Sequence, residues 1–184
     1  MIIWPTCQVY DVSYTMNPVD RVRAALIEKG LGDVVLELDD TAATAPLAAA
    51  AIGAHHGIVV PVGAIVKSLL FLIDGQPAIV LGSGDRNVDQ KRLGELYGVS
   101  RKKVKLADAA TAFALTGFEV GGVAPVGHAQ PLPVVIDEAL GRFDTVWAAA
   151  GAHHAVFPIK YQQLIEITSG RVAALSGDRQ GDES

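Results

Sequence analysis

Cysteine is nearly missing from this sequence: Cys7 stands alone among 184 residues. One thiol cannot close an internal disulfide, and no metal framework can be built from cysteine, so a reducing compartment is expected, the cytoplasm. Aromatic residues are scarce at 6%, and charged residues make up only 19%. Half of the chain is hydrophobic, so it must pack a core from Ala, Val, Leu and Ile, which describes a globular and not a disordered protein. Long apolar runs are missing too. No segment reaches the roughly 18 residues needed to span a bilayer, and Met1-Ile2-Ile3-Trp4-Pro5 lacks a basic leader, so a soluble protein without a membrane partner is expected. Positive charge is also in deficit. A net charge of -5 argues against coating long stretches of nucleic acid, yet leaves room for gripping a few nucleotides. The basic residues cluster in Lys91-Arg92 and in Arg101-Lys102-Lys103 with Lys105, either as a solvated face or as a contact for a phosphate backbone.

What is there fits one domain, long enough to bury roughly 70% of its unfolded surface. The expected organisation is an arm over residues 1–16, a folded domain over 17–176 and a polar tail over 177–184. Asn17 and Pro18 predict a helix start, with Val22, Ala25 and Leu26 on one face until Gly30. A strand is expected over 34–38. An alanine-rich helix is expected over 41–52, capped by Thr41 or Thr44. Residues 65–73 and 77–81 read as a hairpin about Asp74-Gly75. Helices are expected over 87–97, 108–115 and 161–168, the last starting near Pro158. Strands are expected over 132–137, 145–150, 155–158 and 171–175. Some strands are joined by hairpins and others by helices, which predicts a mixed sheet in an α+β or α/β arrangement.

The most distinctive stretch is Gly121-Gly122-Val123-Ala124-Pro125-Val126-Gly127-His128. Two glycines interrupt what Phe118-Glu119-Val120 would otherwise continue as a strand. Such a pair makes either a tight turn or bulge, or a corner where backbone comes close to another molecule. Lys67 is the odd residue in an apolar run. It either starts the strand with its ammonium in solvent or faces a cavity where a charge is wanted. The tetrad Gly-Ala-His-His occurs twice, at 53–56 and 151–154, and two histidine pairs raise a zinc reading. Neighbouring side chains in extended backbone point apart, and no carboxylate or cysteine stands at ligand spacing, so no metal and no cofactor is expected. Gly82-Ser83-Gly84-Asp85 lacks the Lys-Ser/Thr of a phosphate loop and reads as a plain loop.

Four of these stretches, Ile65-Val66-Lys67-Ser68-Leu69, Thr116 through His128, Leu132-Pro133-Val134-Val135-Ile136-Asp137 and Gly151-Ala152-His153-His154-Ala155-Val156-Phe157, occur in an order and spacing that resemble the YbaK/prolyl-tRNA synthetase-associated domain family. The resemblance runs from about Val22 to Leu175. It implies a mixed β-sheet curled into a partial barrel with surrounding helices, and a hydrolase that deacylates mischarged aminoacyl-tRNA, typically tRNA for proline carrying a small amino acid. By the same resemblance, Lys67 holds the phosphate or ribose of the tRNA 3' end, and Gly121 and Gly122 form a loop that approaches the ester and positions water. Gly151 and His154 belong to a second turn of the site; Ser68, Thr116, Asp137 and His153 match positions around the substrate. His153 departs from the commoner residue at its place. The implied partners are the aminoacyl-tRNA 3' end and an aminoacyl-tRNA synthetase. The arm and the segment 54–61, longer than the usual link, border the pocket or an oligomer contact, which leaves a homodimer open. No serine or cysteine is visibly paired with a base, so bound water and not a covalent nucleophile is expected to attack. The competing class is a non-catalytic relative that binds a small ligand or a tRNA end.

Overall fold

Asn17 and Pro18 do open a helix. In the computed structural model, which describes residues 16–39 and 41–176, the Asn17 side chain accepts from the Val19 N–H at 3.0 Å and α1 runs Pro18–Glu28. Val19, Val22 and Leu26 share its buried face, as spacings of three and four require. The expected 1–15 part of the arm, with Cys7, and the tail 177–184 lie outside the described residues. Strand β1 is short, Leu36–Glu37, and not the longer 34–38 segment expected.

Helix α2 spans Ala45–His56. Thr44 is its cap and Pro46 lies in its first turn, where a missing N–H costs nothing. The expected end at residue 52 is overrun by one turn, because the alanine run tolerates Gly53 and the left-handed stop comes only at Gly57, with φ 66°. His55 and His56 therefore sit on a helix and not in a loop.

Strands β2 (Val66–Ile73) and β3 (Gln76–Ser83) form the predicted hairpin. Asp74 and Gly75 both take positive φ, 50° and 83°, the backbone twist that suits a two-residue hairpin turn. There follow α3 (Gln90–Leu96), β4 (Val104–Leu106), α4 (Ala109–Thr116), β5 (Val134–Asp137), β6 (Thr145–Ala149), β7 (Ala155–Lys160), α5 (Tyr161–Thr168) and β8 (Arg171–Ala173). Residues 118–120 are irregular; Phe118 is fully buried in the core. Strand β7 passes through Pro158, where the expected strand stopped. Its neighbour β1 pairs only with Ala155 and Val156, so at Pro158 no ladder bond is lost on that side.

The strands form two sheets. One is five-stranded in the order β4-β2-β3-β5-β8, antiparallel at β4-β2-β3 and parallel at β3-β5-β8; the other is β1-β7-β6, all antiparallel. A parallel bridge between Ile65 and Trp147 links them, and they do not close into a barrel. The mixed α+β architecture is the expected one, with its strands divided over two sheets. α1 and α5 contribute Leu26 and Leu164 to the main core, which lies between the sheets around Phe118, Ile136 and Phe157.

A polar knot fixes the turn before β2 against the end of β3. Arg142 reaches Asp85 with both terminal nitrogens, at 2.7 and 3.1 Å, and donates to the Ser83 hydroxyl at 2.8 Å. That hydroxyl donates to the Gly63 carbonyl at 2.6 Å. The guanidinium holds the Asp85 carboxyl at about 2, below the ordinary 3.8. Because the folded value is the lower one, this contribution to stability is complete above about pH 4 and is lost as pH falls toward 2. Two outcomes follow for chemical unfolding. Leu26→Ala lowers the unfolding free energy by about 2–5 kcal/mol, because Leu26 is fully buried. Arg142→Ala lowers the urea midpoint at pH 7, and its difference from the parent protein shrinks between pH 4 and pH 2; a constant difference across that window would refute the linkage.

Candidate active site

The two sheets part immediately after Ile65. β3 occupies one edge of β2 along its whole length, while the opposite edge meets Trp147 through Ile65 and meets β4 only at Phe71, Leu72 and Ile73. Between those contacts, residues 67–69 border a cavity of about 420 Å³. Trp147 and Ala148 of β6 and Val156 of β7 form one wall, Thr44, Ala45, Pro46 and Ala48 at the start of α2 another, and Gly121 and Ala152 the rim. Its volume lies within the range that holds a small ligand.

Most of this lining is apolar and small. Among the described lining residues Lys67 carries the only charge, and it comes from β2 opposite Gly82. Its ammonium donates to the Arg86 carbonyl, which draws the side chain toward the loop after β3. The N-terminus of α2 faces the same space, with Thr44 and Ala45 in the lining, and brings the positive end of a helix dipole. A cationic side chain and a helix start thus act together on an otherwise apolar cavity, which favours an anionic or electron-rich group at one end of a ligand. Beside Lys67, the Ser68 hydroxyl is buried without a hydrogen-bond partner among the described residues. That hydroxyl has almost no accessible surface, and Ser68 alternates with Lys67 across the strand, so Ser68 borders the cavity without presenting the hydroxyl to it.

The two glycine corners meet each other. The Gly151 N–H donates to the Gly122 carbonyl at 3.0 Å, and the Gly122 N–H donates to the Glu119 carbonyl at 2.9 Å. Gly121 has φ 92° and lines the cavity; a Cβ there would lie 2.7 Å from the His153 ring. Gly151 has φ 94°, and its Cβ would lie 2.6 Å from the Pro18 carbonyl oxygen. Both corners therefore lack side chains because protein packs there, and Gly121 additionally opens backbone to the cavity. His153 rests on Gly121 with Nε2 3.7 Å from the Glu119 carboxylate, while its Nδ1 is buried without a partner among the described residues. The His154 side chain is exposed. Through the backbone both histidines clamp the approach to α2: the His153 carbonyl accepts from Ala42 N–H at 2.5 Å and the His154 carbonyl from Leu38 N–H at 2.7 Å. His128 turns inward, its Nε2 2.8 Å from the Ala124 carbonyl, and burial holds its pKa below the ordinary value.

The structure brings Lys67, Ser68 and Gly121 to one cavity, with Gly122, Gly151 and His153 directly behind its rim. Thr116 and Asp137 lie outside the lining. Thr116 is buried and closes the end of α4, its hydroxyl donating to the Ala112 carbonyl at 2.7 Å and accepting from the Phe118 N–H at 3.1 Å. Asp137 is buried and ties the segment after β8 to β5, accepting from the Ser176 hydroxyl at 2.5 Å and the Leu175 N–H at 3.2 Å. The two Gly-Ala-His-His tetrads lie in different elements, and among the described residues no group of three or more His, Cys, Asp or Glu side chains comes together. The α2 start, Trp147 and Ala148 are lining residues that sequence reading passed over. Their only signal is the density of alanine, which reads equally as helix preference.

Fold and cavity define an α+β domain that can receive a small ligand against a cationic end. The aminoacyl-tRNA editing domain family matches residues 39–167, and this chain belongs to that family. It is 31% identical over 139 residues to the uncharacterized protein YwhH of Bacillus subtilis, covering 75% of this chain and 83% of that one. It is 44% identical over 106 residues to a proline–tRNA ligase of Desulfovibrio desulfuricans, covering 57% of this chain and 17% of the ligase. A crystal structure assigned provisionally as a trans-editing enzyme for prolyl tRNA synthetase superposes with a TM-score of 0.78 and 36% identity, over 88% of this chain and 98% of that one.

Gly151→Ala is expected to destabilise the domain by about 1–3 kcal/mol or more in urea unfolding, since it adds both backbone strain and a collision with Pro18. His154→Ala, at an exposed side chain, is expected to stay within about 0.5 kcal/mol. Equal stabilities for the two variants would contradict the packing role of the second corner.

Proposed function

We propose that this domain is a trans-editing hydrolase that cleaves the ester of mischarged aminoacyl-tRNA, with a small, uncharged aminoacyl group on a proline-type tRNA as substrate. The observation that carries the reading is Lys67, the only charge among the described lining residues of an otherwise apolar cavity, in a chain of the editing family. Lys67 holds the phosphate or ribose of the 3'-terminal nucleotide as a compact point charge. The aminoacyl side chain enters among the alanines of the α2 start and Ala148, with Ser68 bordering the same space from β2. Gly121 supplies backbone at the rim, and Gly122, Gly151 and His153 hold it there.

A water molecule attacks the ester carbonyl carbon. The carbonyl oxygen becomes an oxyanion, the ester C–O bond then breaks, and the proton lost by water ends on the released ribose oxygen. Free amino acid and tRNA with an intact 3' end result. The neighbouring ribose hydroxyl of the substrate helps to activate the water, so the protein has only to position it and to stabilise developing charge. One preorganised donor is typically worth about 10²- to 10³-fold in rate. Cavity size sorts substrates, because one methylene separates amino acids by only about 1–3 kcal/mol, which makes a second hydrolytic sieve useful.

The test is a deacylation screen with alanyl-, cysteinyl-, seryl- and threonyl-tRNA. The parent protein should release at least one amino acid. Lys67→Ala should lower that rate by about 10²- to 10³-fold, and Ala48→Leu, which fills the wall of the cavity, should abolish it while the fold is retained. Full activity in Lys67→Ala defeats the assignment. Binding of tRNA without turnover across the panel would favour a non-catalytic module instead.

A further inference from the structure

A chain of net charge -5 carries four cations within five residues: Arg101, Lys102, Lys103 and Lys105. All four are exposed. The first three form a 3-10 turn that leads directly into β4, which carries the fourth. Lys103 is engaged with Asp74 at 3.0 Å, whereas Arg101, Lys102 and Lys105 make no ion pair among the described residues. Charged side chains on an edge strand also discourage pairing with another chain, and that explains Lys105 on β4. It does not explain three consecutive cations in the turn before the strand.

Their position is informative. β4 pairs with the same edge of β2 that opens onto the cavity, since β3 occupies the other edge. Ser68 borders the cavity and Leu72 lies opposite Lys105, so the first cation stands four strand residues away, about 13 Å along the edge. The turn carrying the other three continues in the same direction, because β4 runs antiparallel to β2. Lys105 shares its face of the sheet with Ser68 and Lys67 takes the other, so a polyanion with its end at Lys67 reaches the turn by crossing this edge.

We propose that the turn 101–103 and Lys105 form a second RNA contact, a phosphate-binding strip that holds the tRNA body while its acylated end occupies the cavity. This inference rests on the editing reading for the identity of the RNA, and on charge and register for the place of contact. The strip reads backbone phosphate and not bases, so it strengthens binding of any tRNA alike, and selection among amino acids stays with the cavity.

The experiment uses the full chain with Arg101, Lys102 and Lys105 all changed to Gln, checked for an unaltered unfolding midpoint. Affinity for uncharged tRNA is measured by fluorescence anisotropy between 50 and 200 mM salt. Hydrolysis is measured in parallel on full-length aminoacyl-tRNA and on the same aminoacyl group carried by a short 3'-terminal oligonucleotide. Removing three phosphate contacts should lower the slope of log affinity against log salt by about 2–3. The kcat/KM for full-length aminoacyl-tRNA should fall at least tenfold at low salt, through KM, while the short substrate is hydrolysed as before. An unchanged salt slope overturns the proposal, as does an equal loss on both substrates, which would mark a structural defect. If the parent protein hydrolyses neither substrate yet the variant loses tRNA affinity and slope, the contact stands and the editing reading fails.

Discussion

The site depends on one departure from regular sheet geometry: among the described residues, β2 keeps a neighbour along one edge and loses it over part of the other. A strand edge inside a protein exposes donors and acceptors that must find partners, so an unaccompanied stretch is costly unless something else occupies it. Here the bridge from Ile65 to Trp147 holds the sheets together at one end of the gap and β4 resumes pairing at the other. The space left between them is the cavity. Lys67 and Ser68 border it from β2, and the apolar wall opposite belongs to β6 and β7.

The loops that complete the cavity are held by backbone and not by side chains. Gly151 donates to Gly122, and the carbonyls of His153 and His154 bind the chain that enters α2. Left-handed corners at Gly121 and Gly151 let these segments approach to distances that a Cβ would forbid. Motif residues that look chemical on paper can therefore serve architecture. The His154 imidazole points to solvent while its carbonyl fastens the cavity wall, and the Asp137 carboxylate is spent on Leu175 and Ser176. Corners held in this way suit the positioning mechanism proposed for the site, because a group held in place needs no reorganisation when charge develops.

Local signals carried most of the elements. Asn17-Pro18, Thr44 before Pro46 and Asp74-Gly75 each act within a few residues, so they can be read without a fold. Where a neighbour decides, local signals fall short: β7 continues through Pro158 because β1 does not extend to that point. The end of α2 at His56 is again local, set by the left-handed Gly57.

By itself the sequence determined the helix starts, the hairpin, the apolar strands that must be buried and, through four ordered motifs, the family, because these depend on spacing along the chain. Only the tertiary structure decided that the sheets separate at Ile65, that alanines of α2 face Lys67 across a cavity, and that Asp137 and Thr116 fasten core segments away from it. The reason is physical. A cavity exists between elements remote in sequence, and no periodicity within one element records how far its neighbour stands from it.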